Sequence, residues 1–236
     1  MQNTIATIKS ITNSKYLDII GVVLVVGVSV YLEYYKTTYD FSFDGKNYSF
    51  YLGYFSILNT CLSMIATRLV TKKNNIGNLI STCNTLLSGS IDYLLGNIGA
   101  ILTYPISFFG NYFAFQIWKK KQYLNAIDVI FFRNMAIGLL LSFVLNYIAF
   151  TSFSDKAIDW KLFFAIAIPA GISFGGTFNI GRMYPDNWIN WQVYNLFKIV
   201  QNVMLMNIAN TAKYVFYMFN AILGYITWKD DKAKQL

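Results

Sequence analysis

Long uncharged runs, broken only by short charged loops, constrain this chain more than any other feature. A helix that crosses a bilayer needs about 20 apolar residues. Eight segments of roughly that kind can be marked: 19–35, 48–67, 76–97, 98–118, 130–151, 162–180, 188–210 and 214–228. The last is short for a crossing and calls for tilt or a thin bilayer. The chain is 56% hydrophobic and 13% charged, with a mean hydropathy of +0.42, whereas a soluble domain carries about 25% charged residues. The expected fold class is an all-α membrane protein with eight spans. No small-residue cleavage pattern follows the first run, so it reads as a retained helix rather than a signal peptide.

Lys and Arg in short loops set orientation. With an even number of spans both ends share a side. That side holds Lys9, Lys15, Arg68, Lys72, Lys73, Lys119, Lys120, Lys121, Arg182, Lys229, Lys232 and Lys234. The other holds only Lys36, Lys46, Lys156, Lys161 and Lys213. Both termini are therefore expected to be cytoplasmic. The net charge of +8 reads as topology plus contact with anionic lipid. A nucleic-acid partner is not expected, because the basic residues are scattered over many loops. Cys61 and Cys83 lie in apolar segments and read as small core residues.

The two halves resemble each other. Asn84, Asn97, Asn111 and Trp118 occur in order, and Asn195, Asn207, Asn220 and Trp228 repeat the order about 110 residues later, each set followed by lysine. Two triplets of spans separated by a single one would sit in the same orientation, as parallel repeats do, and such repeats hold a substrate near the midplane. The expected division is 1–47 as N-terminus and peripheral helix, 48–118 as the first bundle, 119–160 as a linker helix and 161–236 as the second bundle with a short tail. Pro105 and Pro169 fall inside spans as candidate kinks.

Polar residues inside spans are expensive and often functional. Trp188, Trp191, Gln192 and Asn195 follow one helical face, and Tyr217, Asn220, Gly224 and Trp228 recur at three or four. A lone amide such as Asn59 or Asn146 reads as helix–helix glue worth about 0.6 kcal/mol. Gln192 and Asn195 beside two tryptophans read instead as a site. For Trp188 and Trp228 the interfacial aromatic belt competes evenly with a site role. Tyr and Trp can sandwich a planar ring, and amides suit ribose hydroxyls or a carboxamide. Lys198 lies at the edge of this face, where it can snorkel or pair with Asp92, the one carboxylate deep in a span.

Much chemistry is excluded. The chain has no histidine, so Ser-His-Asp catalysis and histidine metal sites are out. A single deep carboxylate cannot form a two-Asp centre, and no GxxxxGK[ST] phosphate loop is present. Neither an enzyme nor a resident cofactor or metal is expected. GISFGGTF at 171–178 reads as close helix packing.

WINWQVYN at 188–195, followed by YxxNxxxGYxxW at 217–228, resembles the C-terminal signature of the PnuC family of bacterial vitamin transporters. The resemblance implies a SWEET-like 3+1+3 helix arrangement, here with an extra N-terminal helix, in a homotrimer in the inner membrane. It implies uptake of nicotinamide riboside by facilitated diffusion, with trapping by a cytoplasmic nicotinamide riboside kinase; relatives carry thiamine or riboflavin. The residues it places in the site are Trp188, Trp191, Gln192, Asn195, Tyr217 and Asn220, with Tyr214 and Trp228 beside them. Asn84 and Asn111 join them from the repeat. A non-transporting membrane receptor is the reading from another class.

Overall fold

The structure, a computed structural model, describes residues 2–120, 123–154 and 157–235. Lys121 and Lys156, two of the loop charges, lie outside the described residues. Helix α1 (Gln2–Asn13) was not expected. It breaks at Ser14, whose hydroxyl accepts from the Tyr16 amide and so caps α2 (Lys15–Tyr31); the two helices bend by 56°. A 3-10 turn at Tyr34–Lys36 leads into an antiparallel hairpin, β1 (Tyr39–Phe43) with β2 (Lys46–Phe50). Its tip is Asp44-Gly45, both left-handed (φ 50° and 69°), the dipeptide that fits the twist of a two-residue hairpin. The second expected span thus began too early, since Tyr48–Phe50 is strand.

Seven helices follow: α3 (Leu52–Thr71), α4 (Ile76–Leu94), α5 (Ala100–Trp118), α6 (Val129–Ser152), α7 (Trp160–Gly181), α8 (Asn187–Met204) and α9 (Ile208–Ala233). The last two depart from expectation. α8 stops at Met204, and Asn207 then caps α9 by accepting from the Asn210 amide. α9 is therefore 26 residues long rather than a short segment from Tyr214. Lys213, counted as a loop charge, belongs to this helix.

Among the described residues, α6 and α7 are each long and apolar enough alone to cross a membrane, and the bent α1–α2 pair passes if taken as one. The remaining helices carry Asn, Ser and Thr on faces turned inward, which lowers their mean hydropathy. Their outward faces are apolar, as at Leu58, Leu86, Phe113, Leu196 and Phe219. An apolar exterior around a polar interior is the arrangement of a protein solvated by lipid.

The halves share backbone as well as residue pattern. Left-handed residues end the first and second helices of each triplet: Lys73 and Met183 (φ 58° and 57°), and Gly96 and Met206 (φ 100° and 54°). Both pairs are 110 residues apart. The Asn97 amide then donates to Asp92 O, and the Asn207 amide to Asn202 O, each at 2.8 Å, satisfying carbonyls that a helix end leaves free. The tryptophans that end the third helices reach across. Trp118 Nε1 on α5 donates to Ile180 O at the end of α7, and Trp228 Nε1 on α9 donates to Thr71 O at the end of α3, both at 2.8 Å.

These reciprocal bonds lie at one end of the molecule, where charged residues also gather. Asp18 of α2 pairs with Arg68 and Lys72 of α3; Asp230 and Asp231 of α9 take Lys9 of α1 and Lys73; Asp186 takes Lys229 at 2.8 Å. α6 packs on α7 through glycine. A Cβ added at Gly138 would lie 2.4 Å from the Gly175 amide nitrogen, and one at Gly171 would lie 2.8 Å from Leu139 Cα. The packing expected of GISFGGTF is thus with α6, while a Cβ added at its Gly176 would lie 3.2 Å from the Trp191 ring. Cys61 is half-buried, but Cys83 is exposed on α4, not in the core.

Candidate functional site

α4 presents a polar stripe, Asn78, Ser81, Asn84, Thr85, Ser88 and Asp92, at three- and four-residue intervals. α8 presents Trp188, Trp191, Asn195 and Lys198 in the same way. Between them lies a cavity of about 210 Å³, closed by Thr103, Tyr104, Ser107 and Asn111 of α5, Ser173 and Thr177 of α7, and Lys213, Tyr214, Tyr217 and Asn220 of α9. Both triplets thus contribute walls.

Of the residues singled out from sequence, Trp188, Trp191, Asn195, Tyr214, Tyr217, Asn220, Asn84 and Asn111 line the cavity. Gln192 and Trp228 do not. Gln192 sits on the flank of α8 that meets α9, and its Nε2 donates to Met218 O at 2.7 Å. Trp228 shares the α9 stripe but lies beyond the end of the cavity. Its indole is wholly buried against Trp118 and Trp188, with ring centroids 5.9 and 5.5 Å away. It helps to close that end rather than to line the space.

Several lining groups have no internal partner. Trp188 Nε1 and the side-chain oxygens of Asn84 and Asn97 are buried without a hydrogen bond, a state that costs about 1–3 kcal/mol per group unless a ligand or water relieves it. Asn84 is held by Nδ2 donating to Asn59 O at 3.1 Å, and Asn111 by Nδ2 donating to Thr85 Oγ1 at 3.0 Å. Asn59, read as structural, does that work: its Oδ1 also accepts from Ser88 Oγ at 2.7 Å. The aromatic wall is a chain of edge-to-face rings, Trp191–Tyr194, Tyr194–Tyr214 and Tyr214–Tyr217, with centroids 5.2 to 5.7 Å apart.

The charged groups in the wall are Asp92, Lys198 and Lys213. Lys198 Nζ stands 3.4 Å from Asp92 Oδ2, which also accepts from the Tyr104 hydroxyl. Lys213 Nζ lies over the Tyr214 ring at 4.5 Å. The sequence reading missed Tyr194, Lys213 and the hydroxyls of α3, α4, α5 and α7. The α4 stripe was legible by the spacing already applied to α8. Lys213 was hidden by placing the start of α9 after it.

The nicotinamide mononucleotide transporter family model matches residues 53–230, a stretch that begins in α3, ends in α9 and contains every cavity-lining residue. The chain belongs to that family. It is a membrane transporter, and its fold is shared with a solved relative. The crystal structure of the vitamin B3 transporter PnuC aligns with a TM-score of 0.70 at 12% identity, covering 94% of this transporter and 94% of that chain. No curated protein matches the chain by sequence.

Proposed function

We propose that this transporter carries a vitamin built from a planar ring and a hydroxylated sugar or chain, by facilitated diffusion with alternating access. The cavity supports this reading. It combines aromatic rings that take a flat molecule with amides and hydroxyls that take sugar oxygens, and two helix triplets with repeated turns share it. Rocking of the triplets about that site would expose it to each side in turn. Eight spans, a 3+1+3 arrangement and a homotrimer in the inner membrane are part of the proposal. So are cytoplasmic termini, at the end where Lys9, Lys72, Lys73 and Lys229 gather. Trp188, Trp191, Asn195, Tyr214, Tyr217, Asn220, Asn84 and Asn111 are its proposed ligand contacts.

The matching family is named for nicotinamide mononucleotide and the solved neighbour for vitamin B3, which supports a nicotinamide compound; the substrate proposed is nicotinamide riboside, with phosphorylation by a cytoplasmic kinase keeping the gradient inward. A second reading, an uncharged vitamin such as riboflavin, is favoured by one observation: the charges in the cavity wall do not cancel. The deciding experiment is counterflow in proteoliposomes without ion gradients. Exchange of labelled vitamin is expected. A requirement for a proton or sodium gradient would remove the facilitator, and binding without exchange would leave a receptor.

A further inference from the structure

The antiparallel register sorts the hairpin between α2 and α3 into two unlike faces. Residues paired across the strands share a face, and neighbours along a strand alternate. Tyr39 opposite Phe50, Phe41 opposite Tyr48 and Phe43 opposite Lys46 therefore stand on one side; Asp40 opposite Ser49 and Ser42 opposite Asn47 stand on the other. Phe41 stacks on Tyr48 with ring centroids 5.5 Å apart and on Tyr39 at 6.5 Å. On the polar side the Ser42 hydroxyl donates to Asn47 Oδ1 at 2.6 Å. Yet the aromatic side is open: Phe41, Phe43 and Tyr48 are exposed, Phe43 by 70%. The root of the hairpin is held. The Gly53 amide donates to Thr37 O at 2.9 Å, a Cβ added at Gly53 would lie 2.1 Å from Tyr34 O, and the Tyr34 hydroxyl donates to Asn207 Oδ1 at 3.2 Å. The direction of the face is thus set by the fold and not by a loose loop.

We infer that this aromatic face is a docking surface for the lipid bilayer, and that the hairpin lies along the headgroup level at the end of the molecule opposite the crossed tryptophan bonds. Continuity with the lipid-facing exterior decides the occupant. Phe50, the last residue of the face, packs on Phe55 of α3 with centroids 4.7 Å apart. Tyr51, Tyr54, Phe55 and Leu58 are all exposed and recur at three- and four-residue intervals, so the face runs into the outward flank of α3. Tyrosines at that height form the aromatic belt found where helices leave the hydrocarbon. The backbone limits the depth. A two-stranded sheet has two open edges, whose N–H and C=O groups go unsatisfied in hydrocarbon but not among wet headgroups. Asp40 on the polar face and Asp44 at the tip stay in water for the same reason. Two acidic residues against Lys46 leave aromatic burial, not attraction to anionic lipid, as the driving force. A lone pair of strands is marginal in water, and lipid supplies the cover that its aromatic face lacks. The docking gives the α2–α3 connection a fixed level at the membrane surface, whatever substrate the cavity takes.

The test is spin-label accessibility in the full chain, reconstituted in phosphatidylcholine nanodiscs. Cys61→Ala and Cys83→Ser clear the background, and single labels are placed through Phe43→Cys, Tyr48→Cys, Ser42→Cys and Asn47→Cys, two on each face. Oxygen concentrates in lipid and a nickel chelate in water, so the ratio of their collision rates reads the surroundings of each label. The ratio is expected to be severalfold higher at positions 43 and 48 than at 42 and 47, and to stay so when phosphatidylserine is added. Equal ratios on the two faces, or water-like ratios at 43 and 48, overturn the inference. A difference that appears only with phosphatidylserine overturns its aromatic basis. Contact-range spin–spin broadening at position 43 would put a second copy of the chain on the face, and sinks the inference as well.

Discussion

At Gly224 a single added methyl decides whether Trp188 can reach the cavity. The Cβ of an alanine there would stand 2.7 Å from Trp188 Cδ2 and Cε2, and a packed indole has no spare room. Gly224→Ala is expected to push the ring off its seat, lowering stability by about 1–3 kcal/mol and weakening ligand binding; thermal unfolding and titration read the two effects. Asn195 offers a cleaner probe. It is buried, lines the cavity and makes no hydrogen bond among the described contacts. Asn195→Ala should leave the melting temperature nearly unchanged and weaken ligand by about tenfold, the worth of one hydrogen bond to a ligand. Unaltered affinity would take Asn195 out of the site. Gln192→Ala should have the smaller effect, because its amide is turned to Met218 O. The sequence placed Trp188, Trp191 and Asn195 correctly on one helical face. It could not separate Gln192 from them, since the neighbour that claims its amide is 26 residues away.

Elements are tied together by buried polar groups at the tryptophan end. Arg68, 1% exposed, donates to Thr12 O at the end of α1, to Asp18 of α2 and to Asn220 Oδ1 of α9, the last at 2.6 Å. Arg68→Met would leave Asp18 to Lys72 alone and would remove the donors to Thr12 O and Asn220 Oδ1; a loss of about 1–3 kcal/mol is expected from the buried acceptors left unpaired, measurable as a lowered unfolding temperature. Because Asn220 also lines the cavity, the same variant should bind ligand less tightly. The two crossed tryptophan bonds close this end between the triplets. Trp118→Phe together with Trp228→Phe keeps the rings and deletes the donors. The end should open more readily, read as faster thiol labelling of a cysteine placed at Ala221. Equal labelling rates would mean that the bonds do not hold the closed form. Helix α1 and the hairpin were the elements the sequence reading lost. FSFDGKNYSF at 41–50 carries the Asp-Gly signal for the hairpin, but it went unused, and apolar content drew its last residues, Tyr48–Phe50, into a span.

For the whole molecule, the decisive physics is the choice of solvent. Eight runs with few charges, and lysines crowded into alternate loops, left the chain little option but helices in lipid, and the repeat of Asn and Trp about 110 residues apart announced two related triplets. The left-handed turns at Lys73, Met183, Gly96 and Met206 carry that repeat into the backbone. Uptake in proteoliposomes should follow the vitamin's own gradient and stop when the outside and inside concentrations match; accumulation beyond equality without a trapping enzyme would require a coupling ion. The amino-acid sequence by itself determined the solvent, the helical class, the repeat and the faces that would turn inward, because periodicity and hydropathy are local properties. Only the tertiary structure decided which polar groups meet. The pairing of Asp92 with Lys198 spans 106 residues, and the burial of Lys213 is a property of everything around it. Partnership across such separations is set by packing, and so the charge of the cavity became visible only once the helices were in place.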